Sequence, residues 1–204
     1  MSLVDLIGQA DERALAASGL ACLDRCMPLL GADDDILRPL WASLVEGREW
    51  EQRLAKARAE VGAAGTDSES DPDIHGDASH SDGGTECALE AEAARLARRM
   101  LDTVPAHPSA DPVRQWAEAC SVAALQIHRL LDPADAGDIS VTSCREGDTD
   151  GMSPLVAAEL RRQVAVLELV GGHGTGGLRQ ALDLSTEGRR VLRAVVSRRA
   201  RGRE

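Results

Sequence analysis

The chain has 204 residues, of which 43% are hydrophobic, and its net charge is -11. This length and hydrophobic content suffice to bury one core, so a single domain is expected. The acidity argues against a dedicated nucleic-acid binder, and no apolar run is long enough to span a membrane. Residues 1–10 lack the basic start of a signal peptide, so we expect a protein of the cytoplasm.

Helical patterns fill the first sixty residues. Residues 2–9 predict a short helix, and an apolar pattern predicts a longer one over about 12–30. The acids at 33–35 favour the next helix N-terminus through capping and the helix dipole, and Pro39 must then lie in the first turn. Residues 49–61 have a narrow apolar stripe among many charges, which predicts a surface helix.

Periodicity stops over residues 62–86, which are mostly Gly, Ser and Asp with almost nothing to bury. This composition predicts a disordered acidic insertion in the domain. The helical pattern resumes at Leu89 and ends at Pro105.

The next predicted helix, at about 111–131, is apolar nearly all the way round. Asp111 is a good N-cap, and Pro112 suits the first helical position. A helix that is apolar on every side is typical of the centre of a bundle. We therefore predict an all-α, single-domain bundle of roughly seven to nine helices with this helix buried at its centre.

The rest of the chain is also helical in pattern. Residues 132–151 predict a loop, and Ser153 with Pro154 marks another helix start. Gly171 and Gly172 are expected to end that helix. Residues 178–184 and 185–199 predict two further helical pieces.

Several segments resemble one family. The run LACLDRCMP at residues 20–28 is similar to an acidic-Arg-x-x-Pro helix end, and Leu40-Trp41 to the tryptophan helix after it. Residues 116–120 (WAEAC) and the helix begun by Pro154, with Glu159 and Gln163, are similar to two later helices of the same family. The chain thus resembles the YjaG-like bacterial family, a domain of unknown function. The resemblance implies an all-α fold and supplies no activity or cofactor.

Three cysteines lie on apolar helical faces. Cys22 and Cys26 are four residues apart, a spacing that can hold a metal if further ligands such as Cys120 converge. No His or second Cys pair follows at ligand spacing, so we interpret all three as small buried hydrophobic residues and expect no metal and no cofactor.

The remaining motifs give weaker indications of a functional site. His75, Asp77, His80 and Asp82 form a loose group in the acidic insertion, which lacks the rigidity of a metal site. The Gly-rich residues 171–177 follow a helix rather than a strand, so they predict a connection rather than a phosphate loop. The arginines at 189–203 form a basic end that could contact nucleic acid or simply stay solvated.

One polar cluster is expected inside the bundle. Glu118 is the only acid between Arg114 and His128, on a helix whose other faces are apolar. A lone buried carboxylate is costly, so we predict that Arg25 pairs with Glu118, with Glu159 and Gln163 as further acceptors. A network that fixes helix register is the favoured interpretation, and a ligand site is the alternative.

These patterns favour a non-catalytic protein-interaction module, with an unidentified protein partner or a second copy of the chain. The alternative is a small-molecule-binding or hydrolytic enzyme that uses the cluster around Arg25, Glu118 and Glu159. A third is a nucleic-acid accessory role for the arginine-rich C-terminus, although we do not expect nucleic acid as a partner. An enzyme should show a convergent polar pocket, and an interaction module an exposed apolar patch.

Overall fold

The prediction of an all-α bundle is confirmed by a computed structural model, which describes residues 1–66, 81–133 and 140–202. Within these residues every regular element is a helix. The elements are α1 (Leu3–Gln9), α2 (Glu12–Cys26), a 3₁₀ turn (Met27–Leu30), α3 (Arg38–Glu46), α4 (Trp50–Thr66), α5 (Ser81–Asp102), α6 (Ala110–Leu131), α7 (Val141–Glu146) and α8 (Pro154–Gly202).

A side-chain cap marks where α2 begins, and a proline lies in the first turn of α3. The Asp11 carboxylate accepts a hydrogen bond of 2.7 Å from the backbone N–H of Ala14 at the start of α2. The acids at 33–35 precede α3 in turns, and α3 begins only at Arg38. Pro39 lies in its first turn as predicted, because proline restricts the residue before it and cannot sit deeper in a helix.

The most enclosed helix is α2. All residues from Ala14 to Cys26 are buried, and α2 packs mainly against α8 and α6. Helix α6 ends at Leu131 as predicted, but its N-cap is Ser109 rather than Asp111, which lies in the first turn. The helix is not enclosed on every side, because Gln115, Glu118, Ala119 and Gln126 are exposed. Its outward face carries polar side chains beside the small Ala119 and the half-buried Val122 and Ala123, and such residues can face solvent at little cost.

Helix α8 forms a hairpin. The helix does not end at Gly171 and Gly172 but breaks at Gly174, whose φ of 53° and ψ of -125° are non-helical. The following residues then form one helix to Gly202 rather than the two predicted pieces. At Gly177 a Cβ atom would overlap the backbone of Leu169, so the two halves of the hairpin meet closely there.

The predicted disordered insertion at 62–86 needs correction at both ends. Helix α4 continues to Thr66, and α5 already begins at Ser81. Extending a helix adds one hydrogen bond for each residue ordered, so polar residues can continue a helix that packing has nucleated. Residues 67–80, with His75, Asp77 and His80, lie outside the described residues. Among the helices that are described, none has the length and apolarity needed to cross a bilayer.

Candidate functional site

A buried ion pair joins α2 to α8. Arg25 donates from Nε to Glu159 Oε2 at 2.7 Å and from Nη2 to Glu159 Oε1 at 2.5 Å. Both side chains have 0% exposure. Two parallel hydrogen bonds between a guanidinium and a carboxylate fix orientation as well as charge, so this pair sets how the two helices meet.

The network extends from Glu159 to α6 and α7. Gln163 donates to Glu159 Oε1 at 2.9 Å, and its amide oxygen accepts from the Ser121 hydroxyl at 2.7 Å. Arg145 of α7 in turn donates from Nε to the Ser121 oxygen at 3.1 Å. A chain of polar contacts therefore links four helices through the core.

His128 adds a third titratable group. Its Nδ1 lies 2.7 Å from the carbonyl oxygen of Ala124, which can only accept, so Nδ1 carries the proton. Its Nε2 lies 3.5 Å from Glu159 Oε2 and has no hydrogen-bond partner among the described residues. Burial lowers the pKa of His128 despite the attraction of Glu159, so the folded protein holds this ring in its neutral form.

Arg25 keeps Glu159 ionised. Burial raises the pKa of Glu159, but the charge of Arg25 and the hydrogen bonds from Arg25 and Gln163 outweigh it. The pKa of Glu159 therefore lies below its usual value. Burial likewise lowers the pKa of Arg25, and Glu159 more than compensates. The two charges are stable in the core only together.

The predicted partner of Arg25 was wrong. Arg25, Glu159 and Gln163 meet as one cluster, but Glu118 lies on the exposed face of α6 and takes no part. The negative charge of Glu118 instead acts on Arg145: burial lowers the pKa of Arg145, and Glu118 raises it. Because Ala, Val and Ser surround Glu118 in the sequence, the helix face that carries it resembles a buried one.

A second buried ion pair was not predicted from the sequence. Arg189 of α8 donates to Asp24 Oδ1 at 2.6 Å and also to the backbone carbonyl oxygen of Asp34. Burial raises the pKa of Asp24 to about 6 although Arg189 and Arg25 lower it. Arg193 pairs with the Asp34 carboxylate. The only sequence signal was the position of Asp24 beside Arg25 in an otherwise apolar helix.

The cysteines behave as the apolar pattern predicts. Cys22, Cys26 and Cys120 are buried and free, and burial raises the pKa of the Cys22 thiol to about 12. A thiol with such a pKa is a poor nucleophile at neutral pH. In the part of the chain that the structure describes, no three His, Cys, Asp or Glu side chains are placed to hold a metal ion.

A large, partly apolar concavity that follows α6 is open to solvent. A groove of about 830 Å³ lies along α6, with α5 and α7 as its sides, and we call it the α6 groove. Trp116, Ala119 and Val122 contribute apolar lining, and Arg99, Glu118 and Arg145 are its charged residues. Leu96 and Gln126 also line a second concavity that reaches Leu130, so the groove continues along α6.

The fold and site define an all-α bundle with a sealed ionic network and an open apolar groove. No protein-family model, no curated protein and no solved structure matches this chain.

Proposed function

We propose that this chain is a non-catalytic protein-interaction module of the cytoplasm, which binds a protein partner through the α6 groove. The observation that carries the proposal is the apolar part of the α6 groove, which includes Trp116, Ala119 and Val122. Ala119 is exposed and Val122 and Ala123 are half-buried, on a helix whose sequence is apolar on nearly every side. Exposed apolar surface of this kind typically marks a site that a partner covers.

The ionic network supports a scaffold role for the core. Arg25 and Glu159 have no exposed side-chain surface, so a solute cannot reach either charge without opening the bundle. This does not favour the enzyme alternative, which needs an accessible polar pocket. The network instead holds α2, α6 and α8 in one register, which keeps the groove rigid.

The arginine-rich C-terminus has intramolecular partners. Arg189 and Arg193 pair with Asp24 and Asp34, and Arg199 lies 3.4 Å from a Glu90 carboxylate oxygen. These contacts reduce the charge that is free to meet phosphates, so they do not favour the nucleic-acid alternative.

We also propose that the chain belongs to the YjaG-like family. Two segments that carry the resemblance, residues 20–28 and the helix begun by Pro154, contribute Arg25, Glu159 and Gln163 to one network. Residues 116–120, a third such segment, lie on α6, which also packs against α2.

The function is tested by affinity purification from the cells that make the protein, using Val122→Asp in the groove. Val45→Asp is the matched control, because Val45 is 52% exposed on α3 and does not line the groove. A stoichiometric protein partner should be retained by the wild type and by Val45→Asp and lost from Val122→Asp. Equal retention by all three proteins would contradict the proposal. Circular dichroism must first show that both variants fold.

A further inference from the structure

Two arginines of the α6 groove have no carboxylate partner in the part of the chain that the structure describes. Arg99 of α5 is exposed and makes no side-chain hydrogen bond or ion pair with the described residues. Arg145 of α7 is half-buried, and among those residues its side chain donates only to the neutral Ser121 hydroxyl, from Nε. Both come from helices that line the groove beside α6. The groove therefore presents free guanidinium groups on a protein whose net charge is -11.

Arg145 is the more unusual of the two. Burial lowers the pKa of Arg145, and Glu118 offsets this only in part, since no carboxylate forms an ion pair with it among the described residues. A desolvated cation without a counter-ion is costly, and an acid supplied by a bound partner would remove that cost. The two arginines that are buried in the described part of the chain, Arg25 and Arg189, each have a carboxylate partner.

The groove has the length of a helix. From Pro112 to Leu130 the axis of α6 extends about 27 Å at the α-helical rise, which matches a partner helix of about 18 residues. A groove along packed helices accepts the apolar stripe of a further helix. At the end near Leu130, Glu92, Arg129 and Asp132 carry both signs, so the positive charge belongs to the Arg99 and Arg145 end.

We propose that the occupant of the α6 groove is an acidic amphipathic helix of a partner protein. Its apolar stripe lies on Trp116, Ala119 and Val122, and acidic side chains beside the stripe pair with Arg99 and Arg145. This inference rests on the proposed function and adds the chemistry of the partner.

The test uses two labelled helical peptides of 18 residues that share one Leu and Ala stripe, flanked by Glu in one and by Lys in the other. Fluorescence anisotropy with the full chain should show the Glu peptide binding about tenfold more tightly than the Lys peptide. Arg99→Glu combined with Arg145→Glu should reverse that preference, and Glu118→Gln should strengthen Glu-peptide binding. Arg38→Glu, at an exposed position on α3 outside the groove, should change neither affinity.

Because Arg145→Glu removes a hydrogen bond to Ser121, Arg99→Glu alone serves as a second variant that leaves the core intact. Equal affinity for both peptides would overturn the acidic-partner inference. So would binding of the Glu peptide that Arg99→Glu leaves unchanged, or dimerisation through the groove in sedimentation. Loss of the cellular partner in Val122→Asp together with no peptide preference would leave the proposed function standing and refute only this inference.

Discussion

Replacing Glu159 by Gln should unfold the protein at a much lower temperature. The substitution conserves side-chain volume, so it leaves no cavity, but it removes the charge that balances Arg25 at 0% exposure. Leaving one partner of a buried ion pair uncompensated costs about 3–5 kcal/mol. For a chain of this size that free energy corresponds to a fall in Tm of roughly 6–20 °C.

Urea denaturation followed by tryptophan fluorescence measures this loss as a change in the midpoint at constant slope. The control is Glu60→Gln, since Glu60 is 46% exposed and its ion pair with Lys56 lies on the surface. That change should have little measurable effect. Replacing both core charges, as Arg25→Met with Glu159→Leu, should recover most of the loss, because the apolar pair has no desolvation cost.

The difference in stability between the wild type and Glu159→Gln should depend on pH. The pKa of Glu159 is lowered in the folded state from an ordinary value of 4.5, so its contribution is fully present above that value and is lost as the pH falls through the lower folded pKa. The difference between wild type and Glu159→Gln should therefore be constant near neutral pH and shrink only below pH 4.5. A loss under about 1 kcal/mol at pH 7 would refute the argument that the pair is desolvated.

Three other outcomes are expected. Gly188→Ala should destabilise the protein by about 1–3 kcal/mol in the same urea assay, because the added Cβ would overlap the Arg25 side chain. The control Gly172→Ala should be neutral or stabilising, because the space around Gly172 is open. His128 is held neutral in the folded protein, so just below its usual pKa of 6.5 only the unfolded chain takes up this proton. The free energy of unfolding should therefore fall by up to about 1.4 kcal/mol for each pH unit below 6.5. The variant His128→Gln should lack this dependence on pH. A thiol reagent should modify Cys87 alone in the native protein, and rapid reaction of a second cysteine would show that the core opens.

The partner of Arg25 illustrates what a linear pattern leaves open. The sequence marked Arg25 as a cation that must turn inward, and it offered Glu118 and Glu159 as acids on other helices. Glu159 is 134 residues away along the chain. Choosing between the two acids requires the rotation of α6 and α8 about their own axes, and a rotation is set by how all packed faces fit together.

The local sequence of α6 and of α2 likewise does not reveal which of their residues are buried. The apolar pattern of α6 specifies which faces tolerate burial, but a neighbour must be present to cover each one, and on the outward face none of the described helices does so. In α2, the adjacent charged residues Asp24 and Arg25 are both buried, because Arg189 and Glu159 reach them from α8. Polar residues can be buried when distant charges satisfy them, which local sequence does not reveal.

From the sequence alone we predicted the all-α class, the starts of α1, α2 and α8, and the burial of Cys22, Cys26 and Cys120. These features depend on periodicity, capping and the side-chain volume of neighbouring residues, all of which act within a few turns of helix. The packing of the helices was needed to establish that α8 folds back at Gly174, that Glu159 rather than Glu118 balances Arg25, and that one face of α6 stays open. Each of these depends on the relative placement of helices far apart in the chain, where small differences in packing free energy select one arrangement.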